Sequence, residues 1–518
     1  MRSKEARDLG VKHASIASSV FIAKLISLLL GAIMLIVVAR VLGSQQYGIY
    51  TVALAIAGFA GAFGSLNFGA YFNREIPLLL AKNKKDGIGI RIVDALLFLI
   101  AVSIILTVVS AIMLNLIAGY FTAQYEYLGY VYIALLSIGF AITYPILTAI
   151  LVSFGSNIEV AIALVSFVLV QTIISILLVL IGFGPLGAIL GYIAGLVTAV
   201  LVPLYYIRKH VRLRIRLSGI KARLVDMLKF SLPITLTGLL NTILSTFPVI
   251  FLGILLVSTS VIGQYGLATR IGNVIDLVAG SISTVLIPMF ANAIQKRRAK
   301  LKLANLYQSS LFFGLIFSVP MIAYSSVLSY QIIITVFTSA YELTVIYMPL
   351  ISVGVLLSIF AGYSYSLLVS MGKVVMALKY TSLAIAAQFI SILILGYFFQ
   401  VIGVIVAYFY IGNVILALLY TRGLNSLGIK IDVWPLIRVV ICGAIFGISL
   451  LPLLLLPIRP LYILALGLVE GFIVYPIVLV KMRALNLDEI QVLHKVGDSV
   501  PFIGRLLNLT LRYTESFI

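Results

Sequence analysis

Two basic residues stand where a chain rarely keeps them. Lys24 lies about ten residues into an apolar run over 15–40, and Arg270 about nine residues into another over 261–290. At ~1.5 Å per helical residue each would sit ~14–15 Å below a membrane face, near the middle of a ~30 Å hydrocarbon layer. A cation there costs ~2.5–3.5 kcal/mol on insertion scales, and the depth exceeds the reach of snorkelling. Both residues are therefore expected to line one aqueous cavity, where fixed positive charge binds an anionic headgroup. The alternative is a buried ion pair. Asp276 falls roughly two-thirds of a turn from Arg270 on the same helix, so it pairs poorly there, yet it could meet Lys24 across a bundle. Asp276, and Glu470 near the centre of the run over 460–481, read as ion-coupling or charge-balancing carboxylates. Arg40 and Arg74, at the ends of runs, read as anchors at the lipid headgroups. The mid-run amides Asn241, Gln171, Gln388 and Asn413 are expected to hydrogen-bond from helix to helix.

Other chemistry is scarce. His13, His210 and His494 all lie outside the apolar runs, and the single cysteine, Cys442, lies inside one, so neither a metal cluster nor a disulfide framework is expected. There is no Walker-type lysine loop, and no cofactor is expected. The connectors assigned outside the membrane carry little acid beyond Glu126 and Glu342. A membrane-bound glycan ligase or polymerase would need acid–base or metal-binding groups beside its substrate, so the sequence reads as a non-enzyme.

The elements that must position these residues follow from composition. Of 518 residues, 62% are hydrophobic and 10% charged, with a mean hydropathy of +1.20. A soluble domain carries roughly 25% charged residues, so the chain reads as an all-α polytopic membrane protein. About fourteen transmembrane helices are predicted, near 15–40, 49–72, 92–117, 129–153, 158–182, 185–207, 230–257, 261–290, 305–327, 345–370, 374–397, 401–421, 436–456 and 460–481. The first run is too long for the apolar core of a signal peptide and is expected to remain as a span. Of the 36 Lys and Arg residues, 32 fall on even-numbered connectors and the two ends, while the odd connectors hold only Arg40 and Arg459. By the positive-inside rule this predicts a multi-pass plasma-membrane protein with N- and C-termini cytoplasmic. The net charge of +20 is accounted for by those loops, which would meet anionic headgroups at the cytoplasmic face rather than nucleic acid.

A repeat divides the chain. Tyr47-Gly48 matches Tyr265-Gly266; Gly155 matches Gly372; Gly187-Ala188 and Tyr192 match Gly403-Val404 and Tyr408, all at offsets of 216–218. Both copies start from the same side, which predicts two parallel-repeat six-helix bundles about an axis along the membrane normal. The expected organisation is an N-terminal half over 1–207, a basic cytoplasmic linker over 208–229 and a C-terminal half over 230–421. Two additional helices follow over 436–481, then a tail over 482–518 that could lie on the inner surface as an interfacial helix.

The stretch Ala39-Arg40-Val41-Leu42-Gly43 through Tyr47-Gly48-Ile49-Tyr50, the run Asn73-Arg74-Glu75, and two six-span halves followed by two extra helices resemble the polysaccharide transporter (Wzx-type) flippases. These belong to the superfamily of multidrug, oligosaccharidyl-lipid and polysaccharide flippases, which also holds the lipid II flippases. The resemblance implies alternating-access movement of a polyprenyl-diphosphate-linked oligosaccharide from the inner to the outer leaflet, alongside glycan-assembly enzymes. It also implies cavity roles for Lys24 and Arg270, on the first and eighth helices where such flippases place cavity arginines. Helices 13 and 14 would form a groove for the lipid tail, from whose apolar character Glu470 departs. The nearest rival is a multidrug extruder of the same fold working by ion antiport, which would favour acidic cavities; a glycan ligase or polymerase is the second.

Overall fold

In hydrocarbon every backbone N–H and C=O must be bonded within its own segment, and apolar runs of this length satisfy that requirement as helices. The computed structural model describes residues 2–83, 85–118, 127–294, 299–429 and 431–484, and among these it contains no strand. The expected interfacial helix of the tail lies outside the described residues. Nine helices among those described are long and apolar enough to cross a membrane. Three of them, Ile22–Ala62, Asn157–His210 and Val374–Ser426, reach 41, 54 and 53 residues. Each contains a backbone reversal, at Gly43 (φ 66°), Gly182 (φ 102°) and Gln400 (φ 48°), and each is long enough for two passes. The polar hairpin expected over Gly43–Gly48 is thus a break of one residue. Fourteen remains the count read from the sequence.

Contacts divide the chain into two units, Met1–Gly263 and Gln264–Ile518. This division falls beyond the linker expected at 208–229, so the packing units and the repeat halves are different partitions of the chain. The first unit comprises α1 (Arg2–Ala62), α2 (Phe68–Ala81), α3 (Lys85–Ala118), α4 (Leu128–Leu135), α5 (Ile138–Ser153), α6 (Asn157–Leu178), α7 (Gly184–His210) and α8 (Ile220–Ile254). The helix α9 (Thr259–Ile294) begins in the first unit and runs into the second. There it is followed by α10 (Ala299–Val327), α11 (Ser329–Ile332), α12 (Thr344–Ser370), α13 (Val374–Ile405), α14 (Gly412–Ser426), α15 (Trp434–Ser449) and α16 (Pro460–Lys481). The core of the second unit is built on large rings with almost no exposure, among them Tyr307, Tyr363, Tyr420 and Phe446.

Local geometry repeats where the sequence does. The helix α5 ends with Gly155 at φ 75° and α12 with Gly372 at φ 71°. The Ser156 N–H bonds the Leu151 carbonyl and the Gly155 N–H that of Val152; the Lys373 and Gly372 N–H groups bond Leu368 and Val369 in the same way. This is a Schellman cap made twice, with a glycine where a side chain would strain the left-handed backbone. A second pair follows. A β-carbon on Gly195 would meet that of Gln171 at 2.8 Å, and one on Gly412 would meet Gln388 Cδ at 2.6 Å, again 217 residues apart.

The expected linker is ordered. Its residues from Ile220 onward already belong to α8, whose first turns are held to α2 and α3. Arg223 donates to both oxygens of Asp94, a carboxylate only 1% exposed, and also to the carbonyls of Ser218 and Arg216 at 2.8 and 2.6 Å. The Asp94 carboxylate raises the Arg223 pKa above the usual guanidinium value. Beside this pair Arg91 donates to the Tyr71 hydroxyl, which donates to Asp226, each at 3.2 Å, and Glu75 lies 3.5 Å from Arg91.

Candidate functional site

The second pass does not run unbroken. From Ala57 the sequence reads AGFAGAFGSLN, with glycine at 58, 61 and 64, and glycine is ~1 kcal/mol worse than alanine in a helix interior. The helix α1 stops at Ala62, the chain turns through Gly64 and Ser65, and Asn67 adopts the left-handed conformation (φ 42°, ψ 36°) before α2 begins. Asparagine tolerates that conformation better than most residues. A broken helix inside an apolar layer frees backbone groups that need polar surroundings, so such breaks line cavities.

Here the break opens on a cavity of about 500 Å³ within the first unit. Its wall comes from Leu54 to Ala62 of α1, the turn at Ser65 and Asn67, and Gly69 to Asn73 of α2. Ser137, the face of α5 from Ala141 to Ala149, Tyr192 of α7, and Thr235, Gly238 and Thr242 of α8 complete it. No carboxylate, imidazole, amine or guanidinium is among the described lining residues. The hydroxyls of Ser65, Thr235 and Thr242 donate to the carbonyls of Ala62, Ser231 and Gly238 at 2.7–2.9 Å, so what each oxygen has left to offer is its acceptor lone pairs. The Asn73 Oδ1 accepts from Ser153 Oγ at 2.8 Å, leaving the amide N–H groups to donate. Small neutral groups of this kind suit an uncharged, hydroxyl-bearing guest.

The predicted site residues fall as follows. Lys24 is exposed on α1 in the first unit, and Arg270 is exposed on α9 in the second, so neither unit by itself brings the two together. Asp276 is exposed on α9 and accepts a 2.8 Å hydrogen bond from Ser358 Oγ of α12. Glu470 is half-buried on α16. Arg40 is exposed just before the Gly43 break. Arg74, exposed on α2, places its guanidinium 5.0 Å from the centre of the Phe230 ring of α8, a cation–π contact between helices. Of the mid-run amides, Gln388 donates to the Tyr408 carbonyl across a helix pair, whereas Asn413 donates to Phe409 within its own turn. The cavity itself was missed by sequence reasoning. Its signal is the triple glycine followed by asparagine inside an apolar run, which average hydropathy conceals.

A bundle of membrane-length helices with a broken pass beside a neutral cavity defines a multi-pass, all-helical membrane architecture. The fold is similar to that of the lipid II flippase MurJ in an inward closed conformation, with a TM-score of 0.71 and 18% identity over 89% of this chain and 97% of that one. It is also similar to an inward-facing multidrug resistance MATE family transporter of the MOP superfamily (TM-score 0.61, 15% identity, 78% and 95% coverage). A third likeness is to the MATE multidrug transporter DinF-BH (TM-score 0.56, 18% identity, 80% and 94% coverage). No curated protein gives a significant match. Residues 16–294 match the profile of the polysaccharide biosynthesis protein family, and the chain belongs to that family.

Proposed function

We propose that this protein is a flippase that moves a polyprenyl-diphosphate-linked oligosaccharide from the inner to the outer leaflet by alternating access, with both termini cytoplasmic. The observation that carries this reading is the uncharged cavity at the broken second pass. A diphosphate-linked sugar has two polar parts with different needs, and neither crosses hydrocarbon unaided. A neutral, hydroxyl-rich glycan would pair with Ser65, Asn67, Asn73, Ser137, Thr235 and Thr242 and lay its C–H faces on the alanine, isoleucine and leucine side chains that make up much of the wall, without desolvating a charge. The diphosphate needs fixed cations, a role assigned to Lys24 and Arg270. The lipid tail stays in the bilayer, with α15 and α16 as its groove. Family membership and the MurJ-like fold agree with a saccharide-lipid cargo. A multidrug extruder of organic cations would call for carboxylates, and the described lining of this cavity has none; Asp276 is then a charge-balancing or ion-coupling group rather than a cargo ligand.

The test is translocation of a fluorescent lipid-linked oligosaccharide in liposomes holding the purified full-length protein. The labelled headgroup is expected to reach the opposite leaflet only when the protein is present. Movement of small organic cations without movement of the saccharide lipid would overturn the reading in favour of the extruder.

A further inference from the structure

A second recess lies in the first unit, behind the break at Gly43. One side of the segment after Gly43 is closed by the stretch entering α9. Ser44 Oγ is 2.7 Å from Ser260 Oγ, and a β-carbon on Gly48 would overlap the Thr259 carbonyl. On its other side Gln45, Gln46 and Ile49 face Tyr127, Tyr130 and Pro185 across a space of about 390 Å³. That volume is within the roughly 300–1,000 Å³ of small-molecule sites.

The chemistry of this recess is specific. Each glutamine offers two N–H donors and a carbonyl acceptor, and each tyrosine a flat apolar ring with a hydroxyl at its edge. Gln45 Nε2 reaches the Tyr127 hydroxyl only at 3.5 Å, a long contact that leaves the amide open to a better partner. None of the described residues that line the recess is charged. Rings that stack on C–H faces, next to amides that bridge neighbouring hydroxyls, match a neutral pyranose. With no cationic partner among these residues a phosphate would be held only by neutral donors, and with no carboxylate an organic cation only by cation–π contact. On the proposed topology, the Gly43 break, Tyr127 and Pro185 all fall on the outer side, away from the basic loops.

We infer that this recess is a saccharide subsite on the outer face, taking an uncharged sugar ring of the glycan as it leaves the protein. The inference rests on the flippase reading for its place in the cycle, but its binding chemistry can be tested without transport. A ligand here would press on the same short segment that Ser44 and Gly48 hold against residues 259–263.

The experiment is saturation-transfer NMR on the full-length protein in nanodiscs, with maltotetraose as the neutral probe and tetragalacturonate as the anionic one. Maltotetraose is expected to bind. Its affinity should fall about tenfold in Tyr130→Ala and in Gln46→Leu. Tyr130→Phe, which keeps the ring, should retain most of it and shows that loss is not misfolding. Absent transfer in the wild type, equal transfer in all variants, or preference for tetragalacturonate would each overturn the subsite. Translocation without saccharide binding overturns the subsite alone; saccharide binding without translocation supports the subsite and overturns the flippase reading.

Discussion

The second pass and its repeat counterpart, α9, have parted company. In the register that sets Tyr47 on Tyr265, the broken stretch Phe63–Asn67 corresponds to 281–285, where α9 continues as unbroken helix to Ile294. The same register sets Gly58, on the cavity wall, opposite Asp276, and Val52 opposite Arg270. One copy is open and neutral; the other is continuous and charged. A duplicated helix can keep its ends and capping glycines while its middle takes on a new task. On the proposed function, the neutral copy would take the uncharged part of a cargo and the charged copy would supply counter-charge.

The largest effect should come from stripping the charged copy. Arg270→Ala is expected to lower translocation in the liposome assay by at least about tenfold, with Lys24→Ala close behind, while both variants insert and purify normally. Wild-type rates in both would remove the division of roles. Filling the neutral copy comes next. A β-carbon on Gly238 meets nothing within 4 Å, so Gly238→Phe should enter the cavity without distorting α8. It should slow translocation several-fold, up to about tenfold, at unchanged thermal stability. A rate insensitive to this change would show that the cargo passes elsewhere.

Smaller effects concern stability. Asp94→Ala strands the Arg223 guanidinium beside two backbone carbonyls and should cost about 1–2 kcal/mol, the figure kept low because Arg223 reaches solvent. Thermal unfolding in detergent would record it, and an unchanged midpoint would mean the linker is held by other contacts. The smallest is Asn67→Ala, which puts a plain side chain at φ 42° and should lose about 1 kcal/mol, while Asn67→Gly should be neutral or better. Equal midpoints for the two variants would argue that the turn relaxes.

Much of this was legible in the residues. Hydropathy marked the membrane helices, and the matched glycines at 155 and 372 marked the repeat, because a left-handed cap leaves glycine as its trace. The Gly43 break showed as a polar segment, although its extent was overestimated, since Ser44 to Tyr47 can start a helix. The cavity was hidden for a physical reason. Gly58, Gly61 and Asn67 barely lower the mean hydropathy of the run that holds them, and which small residues face inward depends on how α5 and α8 pack against it. Arg223 reads as one more basic loop residue because its partner, Asp94, lies 129 positions away in the sequence.

The makeup of the 500 Å³ chamber also determines what it cannot sense. With no acid, imidazole or amine among the described residues of its wall, its hold on a guest should be indifferent to proton concentration and ionic strength across the range in which cells live. Any acidity or salt dependence seen in transport would then arise outside this chamber, which makes a salt titration a means of separating the step that grips the sugar from any step that handles charge.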